Sequence, residues 1–264
     1  MPCTVRGIDI GLDADDDVYI RFLGRLCDDV NAAGAVVTGH KVKMFQAGRS
    51  YFRTLDAVAL DCGEVNAIRR TDDGLLGWGR DPVSVGRVAD RIWPRTVGHV
   101  VCLGAGGTAL ALAHHLITTR EHVHFVCADP DRSAVARLAR LTRQDIAGHV
   151  GNGPWDEIVA SAPPGSLIVN ATGMGKDRPG SPITNTTRFP PGSVVWELNY
   201  RGDLAFLEHA RSEACHSHIA VHDGWELFCQ GWAAALTAVL DLDDDELGDR
   251  FAAESLPIRP SLSP

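Results

Sequence analysis

Gly104-Ala105-Gly106-Gly107-Thr108-Ala109 joins an apolar run, Gly98–Leu103, to an Ala/Leu-rich stretch, Ala109–Ile117. In such a Gly-x-Gly-x-x-Ala turn the first glycine permits a tight bend. The second lets the backbone approach a pyrophosphate, and a small third residue lets helix and strand pack closely. The helix start adds N–H groups and a partial positive charge. Residues 104–108 therefore read as a dinucleotide phosphate cradle. Asp129 closes the next apolar run, 25 residues beyond Gly104. A carboxylate there accepts hydrogen bonds from ribose hydroxyls and repels a 2′-phosphate, which favours NAD over NADP. Arg132, just beyond, keeps NADP open. A second cluster, Cys215-His216-Ser217-His218 with His222, places a thiol and three imidazoles together, and 216, 218 and 222 share strand parity. No carboxylate or second cysteine completes a ligand set, so no metal is expected.

The elements that must hold these groups follow from hydrophobic period. Strands are expected at Thr4–Ile10, Gly34–Thr38, Gly98–Leu103, His122–Cys127, Leu167–Asn170 and Ser193–Trp196. Helices are expected at Val18–Val30, Lys43–Ala59, Val83–Ile92, Ala109–Ile117, Ala134–Gln144 and Trp225–Leu240. Val65–Arg69 and Leu75–Trp78 read as a hairpin turned at Asp72-Asp73-Gly74. Trp93-Pro94-Arg95-Thr96 marks a boundary, giving segments 1–94, 95–222 and 223–264 of an α/β protein. Asp241–Glu246 and the stretch after Leu256 read as solvated tail.

Several separated motifs together resemble the shikimate/quinate dehydrogenase family, and most closely its diverged shikimate dehydrogenase-like members. Val37-Thr38-Gly39-His40-Lys41 is similar to V-T-x-P-x-K, and Gly63-Glu64-Val65-Asn66 to G-A-V-N-T. Asp73-Gly74 through Asp81 is similar to D-G-x-L-x-G-x-N-T-D, and Asn170-Ala171-Thr172-Gly173-Met174-Gly175 to N-A-T-x-x-G. Glu197-Leu198-Asn199-Tyr200 resembles D-x-x-Y, and Asp223-Gly224 through Gln230 resembles D-G-x-x-M-L-x-x-Q. The resemblance implies an N-terminal α/β substrate domain, here opening at the family's second strand and so lacking its first strand–helix unit. A Rossmann NAD(P) domain follows, and a final helix returns to the first domain.

By the same resemblance Lys41 and Asp81 form the catalytic pair. Thr38, Asn66, Tyr200 and Gln230 contact substrate, while Asn170, Thr172, Met174 and Gly224 lie along the cofactor and cleft. The chemistry fits these residue types. Alcohol oxidation needs a group that takes the hydroxyl proton or steadies an alkoxide, and a lysine beside a carboxylate does either. Asp81, before Pro82, also reads as a helix N-cap. The family's substrate-carboxylate serine pair has no counterpart before Val37, and Arg80, in place of the motif threonine, offers a bidentate substitute. His40 reads either as a group tuning the site near neutral pH or as a plain hydrogen-bonded histidine.

Composition narrows the classes. With 25 Lys+Arg against 34 Asp+Glu in 264 residues the net charge is −9, unsuited to tracking phosphate backbones. No apolar run approaches the roughly 20 residues of a membrane span, and the N-terminus lacks a signal-peptide pattern. Seven scattered cysteines without a CxxC pair read as reduced core thiols. The expectation is a cytoplasmic enzyme, monomer or homodimer. Its partner is a small-molecule substrate, not nucleic acid or membrane.

Overall fold

The computed structural model describes residues 3–11, 13–95, 97–120, 122–142, 147–176, 178–243 and 246–260. In chain order the elements are α1 (Asp16–Asp28), β1 (Gly34–Val36), α2 (Lys41–Gly48), β2 (Phe52–Leu55), α3 (Ala57–Cys62), β3 (Ala67–Thr71), β4 (Gly74–Trp78) and α4 (Asp81–Ile92). Then come β5 (Val97–Leu103), α5 (Gly107–Thr119), β6 (His122–Asp129), α6 (Arg132–Thr142), β7 (Ala147–Val150), α7 (Asp156–Ala160) and β8 (Leu167–Asn170). The chain ends with β9 (Val194–Glu197), α8 (Ala205–Ser217), β10 (Ala220–His222), α9 (Trp225–Leu240) and α10 (Leu247–Glu254). It divides into two units, residues 1–79 with 238–241, and residues 80–237 with 242–264. The boundary expected after residue 94 falls instead after Gly79. The difference is α4, whose Val85, Val88 and Ala89 pack into the same core as α5.

The first unit holds a four-stranded sheet in the order β1-β3-β4-β2. The first three are antiparallel neighbours and β2 runs parallel to β4. Tyr19, Leu23, Met44, Ala59, Val65, Ile68 and Leu75 form its core. The expected hairpin is present, β3 and β4 meeting across Asp72-Asp73. Two expectations fail. Residues 4–10 form no strand, and Val5 and Ile8 are exposed instead of paired. Lys43–Ala59 is not one helix. Gly48 sits so close to α1 that a Cβ would overlap Leu23, and the chain then leaves the helix to pair β2 with β4. Asp56 restarts a helix by accepting the Ala59 N–H at 2.8 Å, and Gly63, at φ +65°, ends it.

The last turn of α9 belongs to this unit. Arg69 donates to the Ala238 carbonyl at 2.9 and 2.5 Å and pairs with Asp241 at 2.8 Å.

The second unit is a six-stranded, all-parallel sheet in the order β10-β9-β8-β5-β6-β7. Alternate residues of its strands face opposite cores. Val100, Cys102, Phe125, Cys127, Val169 and Trp196 pack with α4, α5 and α6. Val101, Leu103, Ile168 and Val195 pack with α7 and α8. Burial on both faces explains the unbroken apolar strands of the sequence. Strand order reverses between β5 and β8, the point at which doubly wound sheets open a ligand crevice. The histidine cluster is not a strand: His216 lies in the last turn of α8, His218 caps it in a left-handed conformation, and only His222 is in β10. Among the described residues no metal-holding group of His, Cys, Asp and Glu occurs, and no helix is long and apolar enough to cross a membrane. The expected helix end at Gln144, Thr96 of the boundary segment, and Asp244 and Asp245 of the acidic stretch lie outside the described residues. Between the two stretches expected as tail lies α10.

Candidate active site

In the second unit the glycine turn follows β5 as the sequence predicts. Gly104 has φ +107°, and a Cβ there would lie 2.6 Å from the Ala171 backbone. Only glycine permits the loops after β5 and β8 to approach so closely. Both thiols beneath the turn, Cys102 and Cys127, donate to the Gly104 carbonyl at 3.4 and 3.6 Å, and burial pushes Cys127 up to about 12. Gly106 caps α5 in an extended conformation with open space where a Cβ would stand. Gly107 and Thr108 form the helix's first turn, whose N–H groups have no intrahelical acceptor. Crevice, cradle and helix N-terminus together fit a dinucleotide pyrophosphate.

Asp129, at the end of β6, holds two backbone segments at once. One oxygen accepts the Ala105 N–H at 2.8 Å and the other the Asp131 N–H at 2.8 Å. The carboxylate thus pins the glycine turn to the end of β6. Arg137 on α6 reaches the Ala105 carbonyl at 3.5 Å, and its buried Nε has no hydrogen-bond partner in the structure.

The opposite wall of the crevice is a welded pair of loops. Asn170, at the end of β8, accepts the Thr172 N–H and hydroxyl at 3.1 and 2.7 Å, and Thr172 Oγ1 accepts the Met174 N–H at 3.1 Å. Asn170 Nδ2 donates at 2.6 Å to Glu197, at the end of β9. The other Glu197 oxygen accepts the backbone and side-chain N–H groups of Asn199 at 2.8 and 2.7 Å. Asn199 Nδ2 also donates to the Met174 carbonyl at 3.1 Å. Burial pushes the Glu197 carboxyl up to about 8, against the pull of three N–H donors and of Lys176. In the sequence Glu197 and Asn199 stand only as letters of the Glu197–Tyr200 motif, with no role implied. Their signal was a short polar spacing at the ends of two adjacent buried strands.

Tyr200 follows this weld, its ring 4.3 Å from that of Phe228 and with Lys176 Nζ 5.7 Å from its centroid. Gly224 is obligatory, since a Cβ would meet the Leu198 carbonyl at 2.1 Å.

Gln230 departs from its expected place. It is 2 % exposed, donates from Nε2 to Asp249 of α10 at 2.9 Å, and packs against Gly248. Its Oε1 is buried without a partner. The physical reason is register: D-G-x-x-M-L-x-x-Q has eight steps from Asp to Gln, and this chain has seven. One helical residue turns the side chain by about 100°. The eighth position is Gly231, with open space where its Cβ would be.

Asp81 is 7 % exposed and stands inside the first turn of α4; Arg80 occupies the N-cap position. The N-cap reading of Asp81 therefore does not hold. Arg80 donates from Nε to the Ala234 carbonyl at 3.3 Å and lines a cavity of about 200 Å³ with Arg87, Thr237 and Asp243.

In the first unit Thr38 is exposed between β1 and α2, and Lys41 is the first residue of α2. The Lys41 carbonyl accepts the Val65 N–H at 3.1 Å, and Asn66 bonds through its backbone to Trp78 and Val37 at 3.0 and 2.9 Å. Lys41 and Asn66 are thereby fixed to one end of the sheet. His40 Nε2 donates to the Ile10 carbonyl at 2.9 Å, leaving Nδ1 to accept the Tyr19 hydroxyl at 2.8 Å. Both ring nitrogens are engaged in holding the chain before α2, as a plain hydrogen-bonded histidine.

Curated proteins match part of this chain. The shikimate dehydrogenase (NADP(+)) of Glaesserella parasuis is 26 % identical over 155 residues, 56 % of this chain and 53 % of that protein. That of Streptomyces avermitilis is 33 % identical over 170 residues, 63 % of this chain and 58 % of that protein. The chain thus spans little more than half the length of these relatives. Quinate dehydrogenase from Corynebacterium glutamicum, solved with NAD, superposes with a TM-score of 0.70 at 22 % identity, covering 95 % of this chain and 85 % of that one. That likeness shows the fold. No protein-family profile matches the chain.

Proposed function

We propose that this chain, a homologue of the shikimate dehydrogenases with their fold, is a nicotinamide-dependent oxidoreductase acting on a ring hydroxyl or ketone of a hydroxylated alicyclic carboxylate. The observation that carries the reading is the switch-point crevice, where Gly104 meets the Ala171 backbone beneath a helix N-terminus. A nicotinamide bound there supplies the hydride acceptor or donor. Gly104 to Thr108 hold its pyrophosphate, and Asp129 holds both the turn and the ribose. NAD is favoured because that carboxylate repels a 2′-phosphate, while Arg132 and Arg137 are the cations NADP would use. Thr172 and Met174, set by Asn170 and Glu197, shape the pocket for the nicotinamide end.

Lys41 takes or returns the hydroxyl proton and steadies the alkoxide that forms as hydride leaves the same carbon. By resemblance Asp81 is the second member of the catalytic pair, and Asn66 bonds a neighbouring hydroxyl. Tyr200 closes the wall of the pocket.

Fluorescence titration with NADH and NADPH tests the cofactor half, and nicotinamide absorbance during incubation with shikimate, quinate and their neutral derivatives tests the rest. Saturable binding with turnover of one of these compounds is the expected result. Absence of dinucleotide binding by the folded protein overturns the reading.

A further inference from the structure

The peptide that joins Gly104 to Ala105 is held at both of its polar ends. Its N–H, on Ala105, donates to Asp129 at 2.8 Å. Its carbonyl, on Gly104, accepts from two thiols, Cys102 at 3.4 Å and Cys127 at 3.6 Å. These cysteines are direct neighbours in the register of β5 and β6. Both are 0 % exposed and belong to the core that α5 shares. The carbonyl therefore points down into that core, away from the crevice at the strand ends. Burial pushes both thiols above the ordinary thiol range, Cys127 to about 12, and the Asp129 charge adds to the effect. Both sulfurs thus keep their protons and remain donors. A thiol is a weak donor, yet a buried carbonyl left with no donor is destabilising.

The direction of this carbonyl matters to a pyrophosphate. Glycine at φ +107° has the freedom to turn the peptide over. A turned peptide would aim its oxygen toward the phosphates, and the negative end of that dipole would oppose their charge. Held inward, the same oxygen leaves the partial positive charge at the start of α5 unopposed.

We propose that Cys102 and Cys127 are positioning residues of the dinucleotide cradle, whose thiols hold the Gly104 carbonyl in the core so that bound phosphates meet N–H groups without an opposing oxygen. The inference rests on the proposed function and extends its cofactor site to two residues that act only through Gly104.

The test compares NADH dissociation constants, by fluorescence titration, for the wild type, Cys102→Ser with Cys127→Ser, and Cys102→Val with Cys127→Val, each with its thermal melting curve. Serine keeps a hydrogen-bond donor, whereas valine keeps an apolar side chain without one. In folded protein the valine pair should raise the NADH dissociation constant about 10-fold, and the serine pair should stay within about 3-fold of wild type, a difference of one or two neutral hydrogen bonds. Adenosine, which carries no phosphate, should bind all three proteins alike. A merely structural role would move the melting temperature and leave the NADH affinity of the folded protein unchanged. Wild-type NADH affinity in the valine pair, or equal losses in the serine and valine pairs, overturns the inference and leaves the proposed function standing. If the valine pair does not fold, the single variants Cys102→Val and Cys127→Val are read by the same two outcomes. If the folded wild type binds no dinucleotide, the functional reading fails and the inference with it.

Discussion

Glu197 joins the two loops that wall the crevice, and its ionisation is opposed by burial. Its carboxyl rises from 4.5 to about 8 because desolvation outweighs three N–H donors. An acid whose folded pKa exceeds its unfolded value makes the native state bind more protons between the two. Stability from this group is therefore fully present below about pH 4.5, falls as pH rises toward 8, and is flat above it. At about 1.4 kcal/mol per pKa unit the full swing is roughly 5 kcal/mol, a large share of the 5–15 kcal/mol that typically holds a domain. Glu197→Gln removes the titration. Its amide oxygen still accepts from Asn199, but its NH₂ faces the Asn170 NH₂, costing about 1–3 kcal/mol at every pH. Urea unfolding at pH 5.5, 7 and 8.5 checks this. The variant should be less stable than wild type at pH 5.5 and should lose far less on going to pH 8.5, so the two curves converge or cross. Parallel curves would refute the assignment of the pH dependence to this buried carboxyl.

Other consequences are simpler. Gly104→Ala forces a Cβ against the Ala171 backbone at φ +107°, and dinucleotide binding should be lost in fluorescence titration while the substrate-domain core stays folded. Asp129→Ala frees the glycine turn, and the dissociation constant for NADH should rise about 10-fold, the loss of a charged hydrogen bond. The ratio of NADPH to NADH affinity should rise with it. Gln230→Ala should lower thermal stability through loss of its bond to Asp249 and leave KM for the substrate unchanged. A large KM effect would return Gln230 to the substrate pocket.

The Rossmann half was the more legible. Its strands are buried on both faces and read as continuous apolar runs, and the glycine turn, Asp129 and the Asn170 loop stand at their ends as spacing predicted. The first unit was harder. β2 exists because β4 pairs with it, a tertiary contact that overrides the helical period of residues 43–59. The Asp56 cap and Gly63 were the local signals that this stretch was broken. Short spacing errors also had consequences: a single residue between Asp223 and Gln230 turned the expected substrate ligand into the partner of α10. Glu197 and Asn199 were visible as letters of a motif, but their mutual bonding depends on two strand ends lying side by side. α8, which starts directly after the left-handed Leu204, carries too weak an amphipathic stripe to read.

The central claim is hydride transfer governed by Lys41. It is tested most directly by supplying 4-deuterated NADH with the ketone of a hydroxylated alicyclic substrate and measuring deuterium in the product alcohol by mass spectrometry. The account predicts stoichiometric deuterium at the former carbonyl carbon with the wild type. Lys41→Ala, with NADH affinity retained, should slow the transfer about 10²- to 10⁴-fold, the usual worth of a general acid–base group. Deuterium transfer at the wild-type rate in Lys41→Ala, or none from the wild type with NADH bound, would contradict it.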